Sequence, residues 1–297
     1  MMRGGMPTAG ELIDEAEDVL KASDEVDHPH AGKERYDASL ILEFVLGSEP
    51  DVDDEVSPSA ERRFRTLLAR REAGEPVAYI TGTTEFRGLT LEIGPGAFIP
   101  RESSEFMAEQ AIRRVRSRRA PVYVDLATGI GPVALSVASA VPRALVFGVD
   151  VSARPVALAR RNARRLQLSN ATFLRGDLFG PLPRRLWGTV DVITVHPPYV
   201  GTREMRELPT EVRGFEPRES LTDSSPTGMR LTTRTAAEAP AWLRSDGWLL
   251  VEVSPDRSRE VSAILRHGGF RDVRSTKGHA SDVSRVVVGR APIGSSA

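Results

Sequence analysis

The chain has 297 residues, 40 of them basic and 41 acidic, a net charge of -1 and no cysteine. That length provides for one large or two moderate domains, and the balanced charge excludes a global field drawing the protein to nucleic acid or to anionic membrane. Without cysteine there are no disulfides, thiolate nucleophiles or thiolate metal sites.

The opening "MMRGGMPTAGELIDEAE" has no apolar signal core, and no run approaches the length of a membrane span, so the expectation is a cytoplasmic protein without membrane attachment. Lysine occurs only at Lys21, Lys33 and Lys277; runs such as "AIRRVRSRR" and "ALARRNARR" read as helix surfaces that use arginine throughout.

In chain order, Thr8 followed three residues later by Glu11 forms a capping box, and Leu12, Ala16, Val19 and Leu20 then repeat at helical spacing. A second helix runs through "ERYDASLILEFVLG" to Gly47. A third opens at Ser57 with Pro58 in its first turn and stops at Gly74. Three helices make a small bundle, assigned to residues 1–75. From Pro76 the texture changes to glycines separated by β-branched and aromatic residues, which predicts a hairpin and connecting linker over 76–100. His28 and His30 in "DHPH" offer metal-ligand chemistry but no accompanying carboxylate geometry, so a solvated turn is expected and no metal.

Over 101–297 helical stretches alternate with short strands that are apolar on both faces: "VYVDLAT", "ALVFGVD", "ATFLRGD", "VDVITVH" and "WLLVEVS", with two more in "FRDVRSTKGHASDVSRVVVGRA". The fold class that follows is α/β, a doubly wound seven-stranded sheet whose ligands bind at the carboxyl ends of the strands.

The first strand runs into "DLATGIGPVAL". Gly129 and Gly131 permit a tight strand-to-helix turn with N–H groups facing a ligand, and Pro132 suits the first turn of the next helix. Asp125 precedes this loop, Asp150 ends the second strand and Asp177 ends the third, which places three carboxylates in one row. Asp150 can accept both hydroxyls of a ribose, Asp177 an adenine amino group, and Asp125 can orient the amino-acid part of a cationic ligand. S-adenosylmethionine meets those demands better than a pyrophosphate, which disfavours nearby carboxylates. The candidate cofactor set is Asp125, Ala127, Thr128, Gly129 and Gly131 in the loop, Asp150 and Val151 after the second strand, and Asp177 and Leu178 after the third. Phe98 and Arg101 complete it from the linker.

The fourth strand delivers His196, Pro197, Pro198 and Tyr199 to the same rim, the candidate catalytic set. The prolines fix two φ angles and lack N–H donors, so the local carbonyls are expected to point into the site as acceptors; Tyr199 offers a face for a planar group. Methylation of a planar nitrogen needs acceptors that hold its N–H hydrogens while the nitrogen attacks in line.

The segments "PVAYITGTTEFRGLTLEIGPGAFIPRESSE", "DLATGIGPVALSVA", "VDVSARPVALARRNARRLQL", "HPPYV", "ELPTEVRGFEPRESL" and "DGWLLVEV" together resemble, in order and over nearly the whole chain, the HemK/PrmC family of glutamine N5-methyltransferases. The resemblance implies an N-terminal helical domain that recognises substrate, a hairpin linker and a class I methyltransferase domain. It implies as partner a peptide chain release factor, methylated on the glutamine of a Gly-Gly-Gln motif. In the family the motif reads Asn-Pro-Pro-Tyr, with the Asn side chain and the first proline's carbonyl accepting from the amide; Pro197, Pro198 and Tyr199 match and His196 does not. Ala127 and Ile130 replace a glycine and a serine of the usual cofactor loop, "IPRESSE" keeps Ile99, Pro100, Arg101 and Glu105, and in "SSPTG" only Gly228 survives of a Gly-Gly-x-Asp-Gly segment. Alanine at 127 is tolerable if φ is negative there. Glu85, Phe86 and Arg101 face the site by resemblance only, and Glu252 either lines the pocket or pairs with an arginine.

Three readings stay open at this point: a release-factor glutamine methyltransferase with an altered site; a paralogue methylating a small molecule at nitrogen or oxygen, with His196 as acceptor or general base; and a binding protein without turnover. Nucleic acid is disfavoured by the neutral charge, although Pro-Pro-Tyr motifs also serve flipped bases.

Overall fold

The computed structural model describes residues 6–29, 31–278 and 282–292. The chain divides into two compact units, one of residues 1–83 with 207–216 and one of residues 84–206 with 217–297.

The first unit contains α1 (Ala9–Lys21), α2 (Lys33–Leu46), α3 (Pro58–Glu72) and α4 (Val77–Thr81). The capping box is formed: Thr8 Oγ1 accepts from the Glu11 N–H at 3.2 Å and Glu11 Oε2 from the Thr8 N–H at 2.9 Å. Leu12, Ala16 and Leu20 of α1 pack with Ile41, Leu42, Phe64 and Leu68 in the unit's own core. The expectation of hairpin and linker from Pro76 is corrected by α4. "VAYIT" has a strand-like composition, but Pro76 starts a single turn that buries Tyr79 and Ile80 and ends at Gly82 with φ 76°.

Residues 207–216 join this unit through α8 (Thr210–Phe215). Glu211 accepts from Arg71 at 2.6 Å, from Lys33 at 3.0 Å and from the Asp27 N–H at 2.6 Å. Arg71, only 1 % exposed, also donates to Asp37 at 2.8 Å. Burial raises the Glu211 carboxyl, but the Arg71 hydrogen bond and charge outweigh it and hold the group below its ordinary value. His28 pairs with Glu34 at 2.6 Å, and His30 lies outside the described residues.

The second unit opens with the hairpin β1 (Thr83–Phe86) and β2 (Leu89–Glu92), in which Glu85 is exposed and Phe86 buried. Then follow α5 (Ser104–Arg116), β3 (Val122–Leu126), α6 (Pro132–Ala140), β4 (Leu145–Asp150), α7 (Ala153–Arg165), β5 (Ala171–Arg175) and β6 (Val190–Val195). The remainder is α9 (Arg218–Leu221), α10 (Arg230–Trp242), β7 (Leu243–Val253), α11 (Ser258–His267), β8 (Arg271–Thr276) and β9 (Arg285–Arg290). The seven-stranded sheet has order β5-β4-β3-β6-β7-β9-β8, parallel except for β9, which is antiparallel to both neighbours. Every residue of β6 is buried, as the uninterrupted "VDVITV" requires of a strand covered on both faces. The order reverses between β3 and β6, so the carboxyl ends of these two strands flank the switch point where such sheets bind ligands.

Candidate active site

A buried chain of polar groups lies beneath that switch point. Asp125, near the end of β3, accepts from the hydroxyls of Thr128 and Thr194, each at 2.6 Å, and the Thr194 hydroxyl also bonds the Tyr123 hydroxyl. Burial pushes the Asp125 carboxyl up to about 6; the two hydroxyl hydrogen bonds oppose this and nearby Asp150 adds to it. Asp125 Oδ2 thus braces the loop through Thr128, and Oδ1 ties it to β6 through Thr194. Thr194 was not among the sequence candidates; its signal is a lone hydroxyl in a buried central strand whose other polar residue is Asp191.

The loop after β3 departs from expectation at Ala127, where φ is +51° and not negative. A left-handed backbone at a residue with a Cβ costs roughly 1–2 kcal/mol, which a glycine would not incur. Gly129 has φ +57° and open space where a Cβ would project. Its N–H donates to Asp150 Oδ2 at 2.9 Å, and the Ser152 N–H donates to Oδ1 at 2.9 Å. Burial raises the Asp150 carboxyl against the pull of these N–H groups. Val151, next to it, is 59 % exposed, an apolar face on which a planar ring can pack. Room above Gly129, a carboxylate at the rim and that apolar face fit S-adenosylmethionine.

Beyond β5, Leu178 is buried with φ +45°, and the exposed Asp177 carboxylate pairs with Arg234 at 2.9 Å. From the linker, the Arg101 guanidinium sits 4.6 Å from the centre of the Phe98 ring.

On the acceptor side, the His196 ring lies 15° from parallel to Tyr199 with centroids 5.8 Å apart, and Phe98 meets it edge-on at 5.7 Å. The carbonyls of the motif are not all turned inward as expected: Pro198 O accepts from the Asp223 N–H at 3.1 Å. Pro197 O accepts no hydrogen bond from the described residues. Burial raises the Tyr199 hydroxyl, and Glu252 adds to the shift. Gly228 explains its own survival in "SSPTG", since a Cβ there would stand 2.0 Å from the Tyr199 carbonyl oxygen. Glu252, near the end of β7, pairs with no arginine among the described residues; its Oε2 lies 3.7 Å from His196 Nδ1. The loop after β3 and the motif after β6 thus meet at one rim because their strands are adjacent, with Leu126 opposite Val195.

The family models for the PrmC N-terminal domain and the methyltransferase small domain match residues 11–82 and 102–210. Proteins named release factor glutamine methyltransferase from Bordetella pertussis and Geobacter sulfurreducens are 36 % and 35 % identical to the chain. These alignments cover 83 % and 86 % of this chain and 91 % and 89 % of the relatives. A namesake from Vibrio cholerae is 36 % identical over 92 % of this chain and 96 % of its own. Among solved structures, a 16S rRNA N2 G1207 methyltransferase from T. Thermophilus in complex with AdoMet and guanosine superposes with TM-score 0.52 at 18 % identity, over 70 % of this chain and 49 % of that one. A methyltransferase from Pyrococcus furiosus gives 0.50 at 16 %, over 77 % and 98 %. These two speak for the fold alone. The chain belongs to the HemK/PrmC family, the release factor glutamine methyltransferases, and is an S-adenosylmethionine-dependent methyltransferase.

Proposed function

We propose that the methyl acceptor is the side-chain amide of a glutamine in a peptide chain release factor, held at the rim formed by His196, Pro197, Pro198 and Tyr199. The observation that carries this reading is the Pro197 carbonyl, left without a donor among the described residues, beside Tyr199 and next to the loop after β3. The printed names of the relatives support it, and so does the helical first unit, assigned here over residues 1–75 to substrate recognition, a feature a protein substrate requires and a small molecule does not.

S-adenosylmethionine would supply, when bound, a sulfonium methyl carbon for the nitrogen lone pair to attack, with the thioether sulfur as leaving group. Asp150 would accept the ribose hydroxyls, Val151 and Leu178 would pack on the adenine and Asp177 would accept its amino group. Gly129, Gly131 and Thr128 would present the loop, braced by Asp125, with Phe98 and Arg101 on the methionine side. An amide nitrogen is a poor nucleophile because its lone pair is delocalised. Tyr199 fixes the amide plane, the Pro197 carbonyl accepts one N–H and His196 accepts the other, so the nitrogen is presented in line. A nitrogen with two engaged hydrogens can surrender one proton to His196 as its bond to carbon forms and the carbon–sulfur bond breaks.

The test offers purified protein and methyl-labelled S-adenosylmethionine to a release factor, to its Gly-Gly-Gln glutamine-to-alanine variant, and to an extract of small metabolites. Label on the intact release factor alone is expected. Label on a small molecule with none on the release factor overturns the assignment and favours the small-molecule reading.

A further inference from the structure

Glu252 is fully buried, yet its Oε2 has no hydrogen-bond partner among the described residues, while Oε1 accepts from the Ser103 hydroxyl at 3.2 Å. A buried carboxylate oxygen without a donor is costly and therefore uncommon. The imidazole of His196 faces it, with Nδ1 at 3.7 Å from Oε2. The same nitrogen lies 3.4 Å from the Ser104 hydroxyl, which can turn to accept or to donate.

The ring has little freedom to answer otherwise. Phe98 abuts it edge-on and Tyr199 lies nearly parallel to it, so the edge bearing Nδ1 stays toward Glu252. The two nitrogens of an imidazole diverge, so Nε2 is directed away from Glu252, and the side chain is 21 % exposed.

We infer that Glu252 is a positioning residue that fixes His196 as the Nδ1–H tautomer, so that Nε2 presents a lone pair to an N–H of the acceptor amide. The inference deepens the acceptor reading above and rests on it. An asparagine oxygen accepts hydrogen bonds at any pH, whereas a neutral imidazole has one acceptor nitrogen and the tautomer decides which. With the other tautomer, Nε2 would donate toward an amide N–H and repel it. Glu252 thus supplies what histidine lacks as a replacement for asparagine.

Nitrogen-detected NMR of the histidine rings in the full-length protein, with His196→Asn used to identify the signal, reads the tautomer without substrate or cofactor. A neutral ring protonated at Nδ1 is expected, and one protonated at Nε2 overturns the inference. In transfer assays Glu252→Gln is expected to lower kcat roughly 10- to 100-fold, as for other partners that orient a histidine. In the His196→Asn background the same change is expected to cost less than about twofold. An equal loss in both backgrounds makes Glu252 merely structural and also overturns the inference. If no variant methylates a release factor, the acceptor reading fails while the NMR result still decides the role of Glu252.

Discussion

Two glutamates, half-buried Glu211 in the helical unit and fully buried Glu252 in the methyltransferase unit, meet the same electrostatic problem in opposite ways. Three donors, Arg71, Lys33 and a backbone N–H, converge on Glu211 Oε1, so its charge is offset by two cations. Glu252 has one hydroxyl on Oε1 and a histidine edge at 3.7 Å, and its Oε2 has no hydrogen bond among the described residues. Paired cations are what a purely structural ion cluster needs. An unfilled valence at the end of a sheet strand is what a site with a remaining task shows, and Asp125, held by two hydroxyls, falls between them.

The comparison is broken most severely by removing the buried cation of the Glu211 cluster. Arg71→Met leaves Lys33 as the remaining cation beside Asp37 and Glu211, and the helical unit is expected to lose about 3 kcal/mol in denaturant titration. Converting Arg71, Asp37 and Glu211 together to apolar residues is expected to recover most of that loss. A wild-type-like Arg71→Met would make the cluster dispensable.

Asp125 sharpens the contrast through pH. Its folded value of about 6 lies above the ordinary 3.8, so proton uptake favours the folded state. The resulting stability is full below about pH 4 and is lost as pH rises through about 6, an effect of up to about 3 kcal/mol. Asp125→Asn should therefore gain stability relative to wild type as pH rises from 4 to 7, and parallel curves would contradict the assigned cause.

At the rim, Asp150→Asn keeps the shape but gives up charge-assisted acceptance, so calorimetry should show S-adenosylmethionine affinity falling about tenfold to a hundredfold. The smallest change expected is in Ala127→Gly. Relief of a positive φ, offset by the freedom glycine gains when unfolded, should stabilise by about 1 kcal/mol or less in thermal melts.

Local chemistry was legible in the residues: the capping box at Thr8, the stop at Gly47, the doubly apolar strands and the glycine loop all follow from nearest-neighbour rules. What escaped depends on partners distant in sequence. Val77–Thr81 looks like a strand until tertiary burial of Tyr79 and Ile80 favours a helical turn. Thr194 reads as a strand residue until β6 sets its hydroxyl against Asp125, and Glu252 meets His196 only because β6 and β7 are neighbours. The backbone sign at Ala127 has no sequence signal, since alanine says nothing of φ.

Gly228 ties together two stretches of chain with different freedoms. The backbone of Tyr199 leaves no room for a side chain at 228, and the Asp223 N–H holds the Pro198 carbonyl, so this loop is fastened to the tyrosine at both ends. Between those fastenings lie Ser224, Ser225, Pro226 and Thr227. For protein engineering, acceptor preference could be retuned across these four residues while the tyrosine plane stays where the two anchors put it.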